Sequence, residues 1–286
     1  MYTKSQLKDI ILDQRHLLSL LPKFPISRSK LDEILSFVPA SQILITIGIR
    51  RSGKSTIMQQ IREQQSEQDF YLNFEDERLT SFSVQDFQTL LDAFIELFDV
   101  QKTFYFDEIQ NIPGWERFIR RLHDQGNKIY ITGSNANLLS RELGTHLTGR
   151  YLSFELYPYS FQEYCLSKKH AIKSLKYLNT TEKALHNKWL SKYEEEGGFP
   201  EYLQLLKPDY ISMLYESILY RDIITRYKLP NEKPLKELAL LLTSHIGKTL
   251  TYNSLKKNIG ISLGYHRRRL LPIFRKLLFV FSNQSL

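Results

Sequence analysis

The sequence predicts an α/β fold, in which a parallel sheet flanked by helices is followed by an all-helical region. Between about residues 43 and 156, five short runs of β-branched and aromatic residues alternate with stretches of helical periodicity. The first run lacks polar alternation, which is typical of a strand covered on both faces. A glycine-containing loop joins that run to a helix. After Pro158 the hydrophobic periodicity is helical throughout, which predicts a second, helical region.

The predicted elements follow in chain order. Two helices, at about 4–21 and 29–37, precede the sheet. Strands are predicted at about 43–47, 69–74, 103–106, 128–132 and 151–156, with helices at about 54–65, 84–98, 115–125 and 136–143 between them. Strand and helix in turn require right-handed crossovers and hence a parallel sheet. Further helices are predicted at about 160–168, 181–195, 209–227 and 234–246, the first with a capping box of Ser160 and Glu163.

The loop after the first strand reads GIRRSGKS and matches the full phosphate-binding pattern. Gly48 and Gly53 let the backbone curl so that successive N–H groups face the phosphates, and the following helix adds its positive end. Lys54 reaches the β- and γ-phosphates, and the Ser55 hydroxyl ligates Mg²⁺. Arg50 and Arg51 shape the loop or face a partner. The predicted binding set for ATP is Gly48, Ile49, Arg50, Arg51, Ser52, Gly53, Lys54, Ser55 and Thr56.

The third strand ends in two acidic residues, Asp107 and Glu108. At the carboxyl edge of a parallel sheet such carboxylates lie where the phosphates bind. We expect Asp107 to hold Mg²⁺, with ligation through water, and Glu108 to orient and deprotonate the attacking water. The alternative is a pair of surface carboxylates at a strand end.

Small polar residues end the fourth strand, and arginines follow it. Thr132 is the first choice and Ser134 the second for a side chain that senses the γ-phosphate, although either could instead belong to a turn or a helix cap. Charge on the γ-phosphate calls for a further cation. Arg141 and Arg150 are candidates, from this chain or a neighbouring one, and we favour Arg150.

An alternative hypothesis for the function depends on Glu75 and Asp76, which end the second strand at the carboxyl edge of the predicted sheet. A carboxylate there would serve as base for a substrate hydroxyl in a small-molecule or protein kinase. We rank this reading below hydrolysis because Asp107 and Glu108 already supply a metal ligand and an adjacent base.

Composition and charge narrow the setting. The single cysteine, Cys165, excludes an internal disulfide and suits a reducing compartment. No apolar run approaches the ~20 residues of a membrane span, so we expect a cytoplasmic protein. Residues 1–170 contain 20 Lys and Arg against 21 Asp and Glu, whereas residues 171–286 contain 19 against 10. This basic second half suggests contact with nucleic acid, or else a solvated basic face.

Several motifs occur in an order that resembles a prokaryotic ATPase family. They read GIRRSGKST, YLNFEDERL, YFDEIQNIPGWERFIRRL, ITGSNANLLSRELGTHLTGRYLSFELYPYSFQEY, GGFPEYL and LYRDIITRY. Members of the family have an AAA-like P-loop domain followed by a domain of unknown function with a winged helix and a nuclease-like region. The resemblance implies the sheet order 5-1-4-3-2, supports Glu108 as the base, and makes Arg150 a motif position.

The resemblance also implies a domain organisation. We expect an N-terminal helical segment at 1–38, the P-loop ATPase domain at 39–158, a helical domain at 159–240 and a partial winged helix at 241–286. After Gly264 the sequence departs from the family pattern, which predicts a truncated or frameshifted end. Five of the eight basic residues after Ala239 follow that point, so the charge argument for DNA weakens.

The resulting hypothesis is a Mg²⁺-dependent ATPase that acts as a molecular switch or remodeller, with a protein client, self-association or DNA as partner and no membrane association. The first alternative is the kinase already described. The second is a DNA-binding module in which ATP is a structural ligand.

Overall fold

The computed structural model describes residues 1–20, 26–37, 41–134, 147–170 and 179–225, together with 233, 236, 237, 240 and 241. The chain forms two compact units. The first contains Met1–Gly48 and Gly53–Leu156, and the second contains Ile49–Ser52 and the described residues from Tyr157 onward.

The first unit is built on a five-stranded sheet in which all strands are parallel. Its strands are β1 Ile43–Ile47, β2 Phe70–Asn73, β3 Thr103–Asp107, β4 Lys128–Gly133 and β5 Tyr151–Glu155. The order across the sheet is β2-β3-β4-β1-β5. This is the predicted order 5-1-4-3-2 read from the opposite edge, and the predicted α/β sheet is therefore confirmed.

Helices lie on both faces of this sheet. The helices of the first unit are α1 Lys4–Leu20, α2 Ser29–Ser36, α3 Lys54–Glu63, α4 Phe87–Phe98 and α5 Trp115–Asp124. Leu7 of α1, Leu90 of α4 and Trp115 of α5 belong to one buried apolar cluster. Leu31 of α2 and Ile57 of α3 belong to a second cluster.

The strands supply both clusters because successive side chains point to opposite faces. In β3, Phe104 and Phe106 belong to the cluster with α1, α4 and α5, while Tyr105 between them belongs to the cluster with α2 and α3. The rings of Tyr105 and Tyr130 stack with centroids 5.2 Å apart. Burial on both faces explains why these strands read as continuous apolar runs in the sequence.

The second unit is helical where it is described. Its helices are α6 Phe161–Ser167, α7 Thr180–Glu196, α8 Pro200–Leu205 and α9 Pro208–Ser217, followed by a π-helical stretch at Ile218–Thr225. The backbone of Tyr159 passes so close to Gly198 that a Cβ there would lie 2.3 Å from the Tyr159 carbonyl oxygen. The Tyr159 N–H donates to the Gly198 carbonyl at 2.7 Å, which fixes the start of α6 against the end of α7.

Three sequence expectations change in detail. The predicted helix at 84–98 begins as a 3₁₀ turn, Val84–Asp86, before α4. The sequence pattern predicts a break at Pro200, whereas this proline begins helix α8. Proline is tolerated in the first turn because the backbone N–H groups there have no acceptor within the helix. The predicted helix at 209–227 is α9 followed by the π-helical stretch.

Other predictions lie outside the described residues. The predicted helix at 136–143 is one of them. Of the predicted partial winged helix at 241–286, with its altered end, only Leu241 is described. The predicted helix at 234–246 is described at four positions only. Among the described residues, no helix combines the length and the apolarity needed to cross a membrane.

The capping box of α6 is confirmed, and it provides a test of the second unit. The Ser160 hydroxyl accepts from the Glu163 N–H at 3.3 Å, and the Glu163 carboxylate accepts from the Ser160 N–H at 2.9 Å. We expect Ser160→Ala to lower the free energy of unfolding by about 1 kcal/mol, measured by urea denaturation. Ser212→Ala, at an exposed position inside α9, is the control and should be neutral or slightly stabilising. Equal losses in the two variants would contradict the capping role.

Candidate active site

The carboxyl edge of the sheet gathers most of the candidate residues of the first unit. Because the strands are parallel, the ends of β1, β3 and β4 meet at one edge. Strand β4 lies between the other two, with Thr132 beside Thr46 of β1. Gly48 continues this edge, and its N–H approaches the Gly133 carbonyl at 3.4 Å.

The loop between β1 and α3 has the backbone shape that the motif predicts. Gly53 is the N-cap of α3 in a left-handed conformation with φ 96°, and it has no side chain to cap the first turn. Lys54 opens the helix and is buried, with its side chain 5% exposed. A buried cation at the positive end of a helix is an arrangement that favours an anionic ligand.

Residues 49–52 of the same loop group with the second unit. The Ser52 N–H donates to the Ile49 carbonyl at 3.3 Å, and Arg51 has a left-handed φ of 65°. The Arg51 guanidinium donates to the Glu201 carboxylate at 2.8 Å, so its side chain is directed at α8. The same carboxylate oxygen accepts from the Tyr210 hydroxyl at 2.9 Å.

Asp107 is fully buried at the end of β3. The Thr132 hydroxyl donates to its Oδ1, and the Tyr71 hydroxyl lies 3.5 Å from its Oδ2. Burial, and then the nearby charge of Glu108, raise the pKa of Asp107, although hydrogen bonds from Thr132 and Ser55 act in the opposite direction. A carboxylate and a hydroxyl in contact are hard oxygen ligands of the kind that Mg²⁺ prefers. The residues present therefore fit a magnesium site.

Glu108 is held by three groups. Its Oε1 lies 3.3 Å from Lys54 Nζ, while its Oε2 accepts from the Gln110 amide and from the Ser134 N–H at 3.1 Å. Burial opposes ionisation, but the Lys54 charge and these hydrogen bonds together hold the pKa of Glu108 below its usual value. Glu108 is therefore a carboxylate, able to accept a proton or a hydrogen bond.

The backbone at Glu108 is itself unusual. Its φ of 52° and ψ of 37° lie in the left-handed region, which a non-glycine residue rarely adopts. The Glu108 N–H donates to the Thr132 hydroxyl at 3.3 Å, and Ile109 after it is fully buried. Such strain clusters at functional sites, where the surrounding structure enforces it.

The structure therefore brings Lys54, Asp107, Glu108 and Thr132 together, and Ser134 joins them through its backbone. Thr132 was expected to meet a γ-phosphate, whereas its hydroxyl is engaged between Asp107 and Glu108. Arg141 lies outside the described residues.

The prediction that Arg150 acts on the phosphate site of its own chain is corrected by its position. It precedes β5, and its carbonyl accepts from the N–H of Ile43, which begins β1. Because Tyr151 pairs with Ile43, Arg150 lies at the amino edge of the sheet, about 20 Å along the strand direction from the loop that begins at Gly48. Its guanidinium contacts Asp124 at 3.3 Å.

The rival carboxylates are placed differently from one another. Asp76 caps the short helix Glu77–Leu79 and accepts from Arg78 and from Gln14. The hydrogen bond from Arg78 is the main cause that lowers the pKa of Asp76. Glu75 is exposed. Asp76 thus has a structural role, which leaves Glu75 as the remaining candidate base for a kinase.

Sequence reasoning missed two buried polar side chains near the loop and the acidic pair. Gln110 is described above. Arg28 precedes α2 and is 3% exposed, and its guanidinium lies 2.9 Å from where a Cβ on Gly53 would be. Gln110 could have been found from the sequence, because it lies two residues after the acidic pair. Arg28 could not, because its approach to Gly53 depends on the packing of α2 on α3.

Comparisons with known proteins find one matching family model and several similar proteins. Residues 40–165 match the family model described as an AAA domain. An uncharacterized protein of Methanocaldococcus jannaschii is 37% identical over 207 residues, which are 71% of this chain and 46% of that protein. An uncharacterized protein of Haemophilus influenzae is 35% identical over 251 residues, 84% of this chain and 60% of its own.

The family match supports an AAA-like ATPase domain in residues 40–165. The chain spans about half the length of the curated relatives it matches. Among solved structures, the Walker-type ATPase PABY2304 of Pyrococcus abyssi aligns over 89% of each chain with 14% identity and a TM-score of 0.49.

The position of Arg28 can be tested through Gly53. Gly53→Ala and the control Gly126→Ala both place alanine at positive φ, which costs about 1 kcal/mol. Nothing lies within 4 Å of a Cβ at Gly126, whereas a Cβ at Gly53 meets the Arg28 guanidinium. We expect Gly53→Ala to lose about 1 kcal/mol more, measured by chemical denaturation.

A double-mutant cycle identifies the cause of this difference. In an Arg28→Ala background, Gly53→Ala should cost no more than Gly126→Ala. If the extra loss persists without the Arg28 side chain, the steric explanation is wrong.

Proposed function

We propose that this protein is a Mg²⁺-dependent ATP hydrolase in which Glu108 activates the attacking water. The observation that carries the proposal is the convergence of Lys54, Asp107 and Glu108 at one buried edge, with Lys54 Nζ 3.3 Å from Glu108 Oε1. A cation for phosphate, a metal-binding acid and a carboxylate base are the groups that phosphoryl transfer to water requires.

Each residue has a role in this proposal. The N–H groups of residues 48–56 and the Lys54 ammonium bind the phosphates, and Arg50 and Arg51 shape the loop. Ser55 and Asp107 would hold Mg²⁺, which when bound neutralises charge on the phosphate oxygens. Glu108 accepts a proton from water as the water attacks. Thr132 holds Asp107 and Glu108 in fixed relative positions.

The contact between Lys54 and Glu108 gives an order to these events. Without phosphates, the Lys54 ammonium is the counter-ion of Glu108. A triphosphate competes for Lys54 because phosphate oxygens carry more negative charge than one carboxylate. Nucleotide binding then leaves Glu108 held by Gln110 and Ser134 and available to water.

Glu108→Gln tests the hydrolase. We expect turnover to fall by about 10²–10⁴-fold with nucleotide affinity retained, because the amide cannot accept the proton. The assay follows phosphate release, with no acceptor added, and calorimetric titration with ATP and Mg²⁺ gives the affinity.

Glu75→Gln is the matched control and also tests the kinase alternative. The hydrolase predicts wild-type phosphate release from this variant, because Glu75 lies at another strand end. Full hydrolysis by Glu108→Gln would contradict the assignment of the base. Turnover that requires an acceptor and is lost in Glu75→Gln would favour the kinase.

We further propose that the loop reports its nucleotide state to the second unit, which makes the protein a molecular switch. The support is the grouping of Ile49–Ser52 with that unit and the bond from Arg51 to Glu201. Anions bound at the loop would act on the conformation of Arg51, and Glu201 would transmit the change to α8.

Glu201→Gln tests this switch. We expect it to reduce the difference in amide hydrogen exchange of residues 200–217 between the ATP-bound and nucleotide-free protein, because the charged partner of Arg51 is gone. Hydrolysis should persist. Glu194→Gln removes an exposed carboxylate of α7 and serves as the control. Identical exchange differences in both variants and the wild type would refute the coupling.

A further inference from the structure

The side chain of Gln110 has one half of its amide bonded and the other half unbonded. Its Nε2 donates to Glu108 Oε2. Its Oε1 is buried and, among the residues that the structure describes, has no hydrogen-bond partner. The orientation of the amide follows from chemistry, since an ionised carboxylate accepts hydrogen bonds and the contacting group must therefore be the NH₂.

A buried acceptor without a partner is costly, and native structures rarely keep one without a reason. Gln110 is 9% exposed, so bulk solvent does not readily satisfy this oxygen. Gln110 Oε1 and the neighbouring Glu108 carboxylate are two hydrogen-bond acceptors that one molecule with two donor hydrogens could bridge. Water is such a donor, because it has two hydrogens.

The turn that carries Gln110 is rigidly anchored. Ile109 before it is fully buried, and Ile112 after it is 3% exposed. The Asn111 N–H donates to the Glu108 carbonyl at 3.1 Å, and the Asn111 side chain donates to the Phe74 carbonyl at 3.2 Å. Gln110 therefore cannot shift without disturbing the core beneath Glu108.

We propose that Gln110 is a positioning residue for hydrolysis, which holds Glu108 through Nε2 and, once bound phosphates have drawn Lys54 away from Glu108, accepts a hydrogen bond from the attacking water through Oε1. The proposal rests on the proposed function of Glu108. One hydrogen of the water points at Glu108 and the other at Gln110, so that a lone pair faces the γ-phosphorus. The new P–O bond forms as the bond to the β-phosphate oxygen breaks, and ADP leaves with that electron pair. The proton goes to Glu108, and Gln110 exchanges none.

Two substitutions separate this role from a structural one. Gln110→Met keeps the length of the side chain and removes both polar atoms. We expect kcat to fall by about ten- to hundredfold, the range for one hydrogen bond to a charged group, while the dissociation constant for ADP with Mg²⁺ changes by less than about twofold. The thermal unfolding temperature should change little, because the loss of the hydrogen bond to Glu108 is offset by the removal of an unsatisfied buried oxygen.

Gln110→Glu retains an acceptor for water but sets an oxygen against the Glu108 carboxylate. We expect the same loss of kcat, because Glu108 loses a donor and is repelled. This variant also covers the outcome in which Gln110→Met does not fold.

Gln59 of α3 provides a matched control. It is also 9% exposed and also has one unbonded amide atom, its Nε2, but its Oε1 accepts from Arg62 rather than contacting Glu108. We expect Gln59→Met to keep kcat within about twofold of the wild type.

The outcomes are distinct. The inference is overturned if Gln110→Met or Gln110→Glu keeps kcat within twofold, or if ADP affinity falls in proportion to kcat. In that case a wild type that still releases phosphate leaves the proposed function intact. If the wild type itself releases no phosphate, the proposed function fails and this inference fails with it.

Discussion

The buried contact between Lys54 and Glu108 joins the two halves of the candidate site. Lys54 belongs to the loop and helix after β1, and Glu108 follows β3, with β4 between those strands. Each charge would be costly to bury alone, because the free energy lost by desolvating a single ion exceeds the stabilisation that nearby dipoles provide. The site is therefore a set of mutually dependent charges, and a phosphate ligand that draws Lys54 away changes the surroundings of Glu108 directly.

The sheet order explains how the remaining groups converge. Strand β4 places Thr132 between the phosphate loop and the acidic pair, where its hydroxyl contacts both Asp107 and the Glu108 N–H. The same order fixes what stays apart. Arg150 immediately precedes β5, which runs parallel to β1, so it lies at the amino edge of the sheet, away from the loop.

A strained backbone and an unsatisfied buried polar atom lie within three residues of each other at Glu108 and Gln110. Glu108 has a left-handed backbone, and Gln110 two residues later keeps a buried oxygen without a partner among the described residues. Both features cost stability in the resting protein. They persist because Ile109 and Ile112 anchor the turn in the apolar core. Local instability of this kind is consistent with a site whose geometry is completed by its ligand.

The sequence by itself determined the sheet, helices α1 to α5, the phosphate loop and the acidic pair, because these depend on local periodicity and on short motifs with a fixed backbone shape. It also determined the capping box of Ser160, since both partners lie within one turn. The strand order came from the family resemblance and is confirmed.

Only the tertiary structure decided the surroundings of these elements. The engagement of Thr132 by Asp107, the approach of Arg28 to Gly53 and the distance of Arg150 from the loop all join or separate segments far apart in the chain. Helix α8 behind Pro200 was missed for a related reason, because a proline that breaks one helix can equally begin the next. Local pattern specifies which element forms, whereas packing between distant elements specifies which side chains meet.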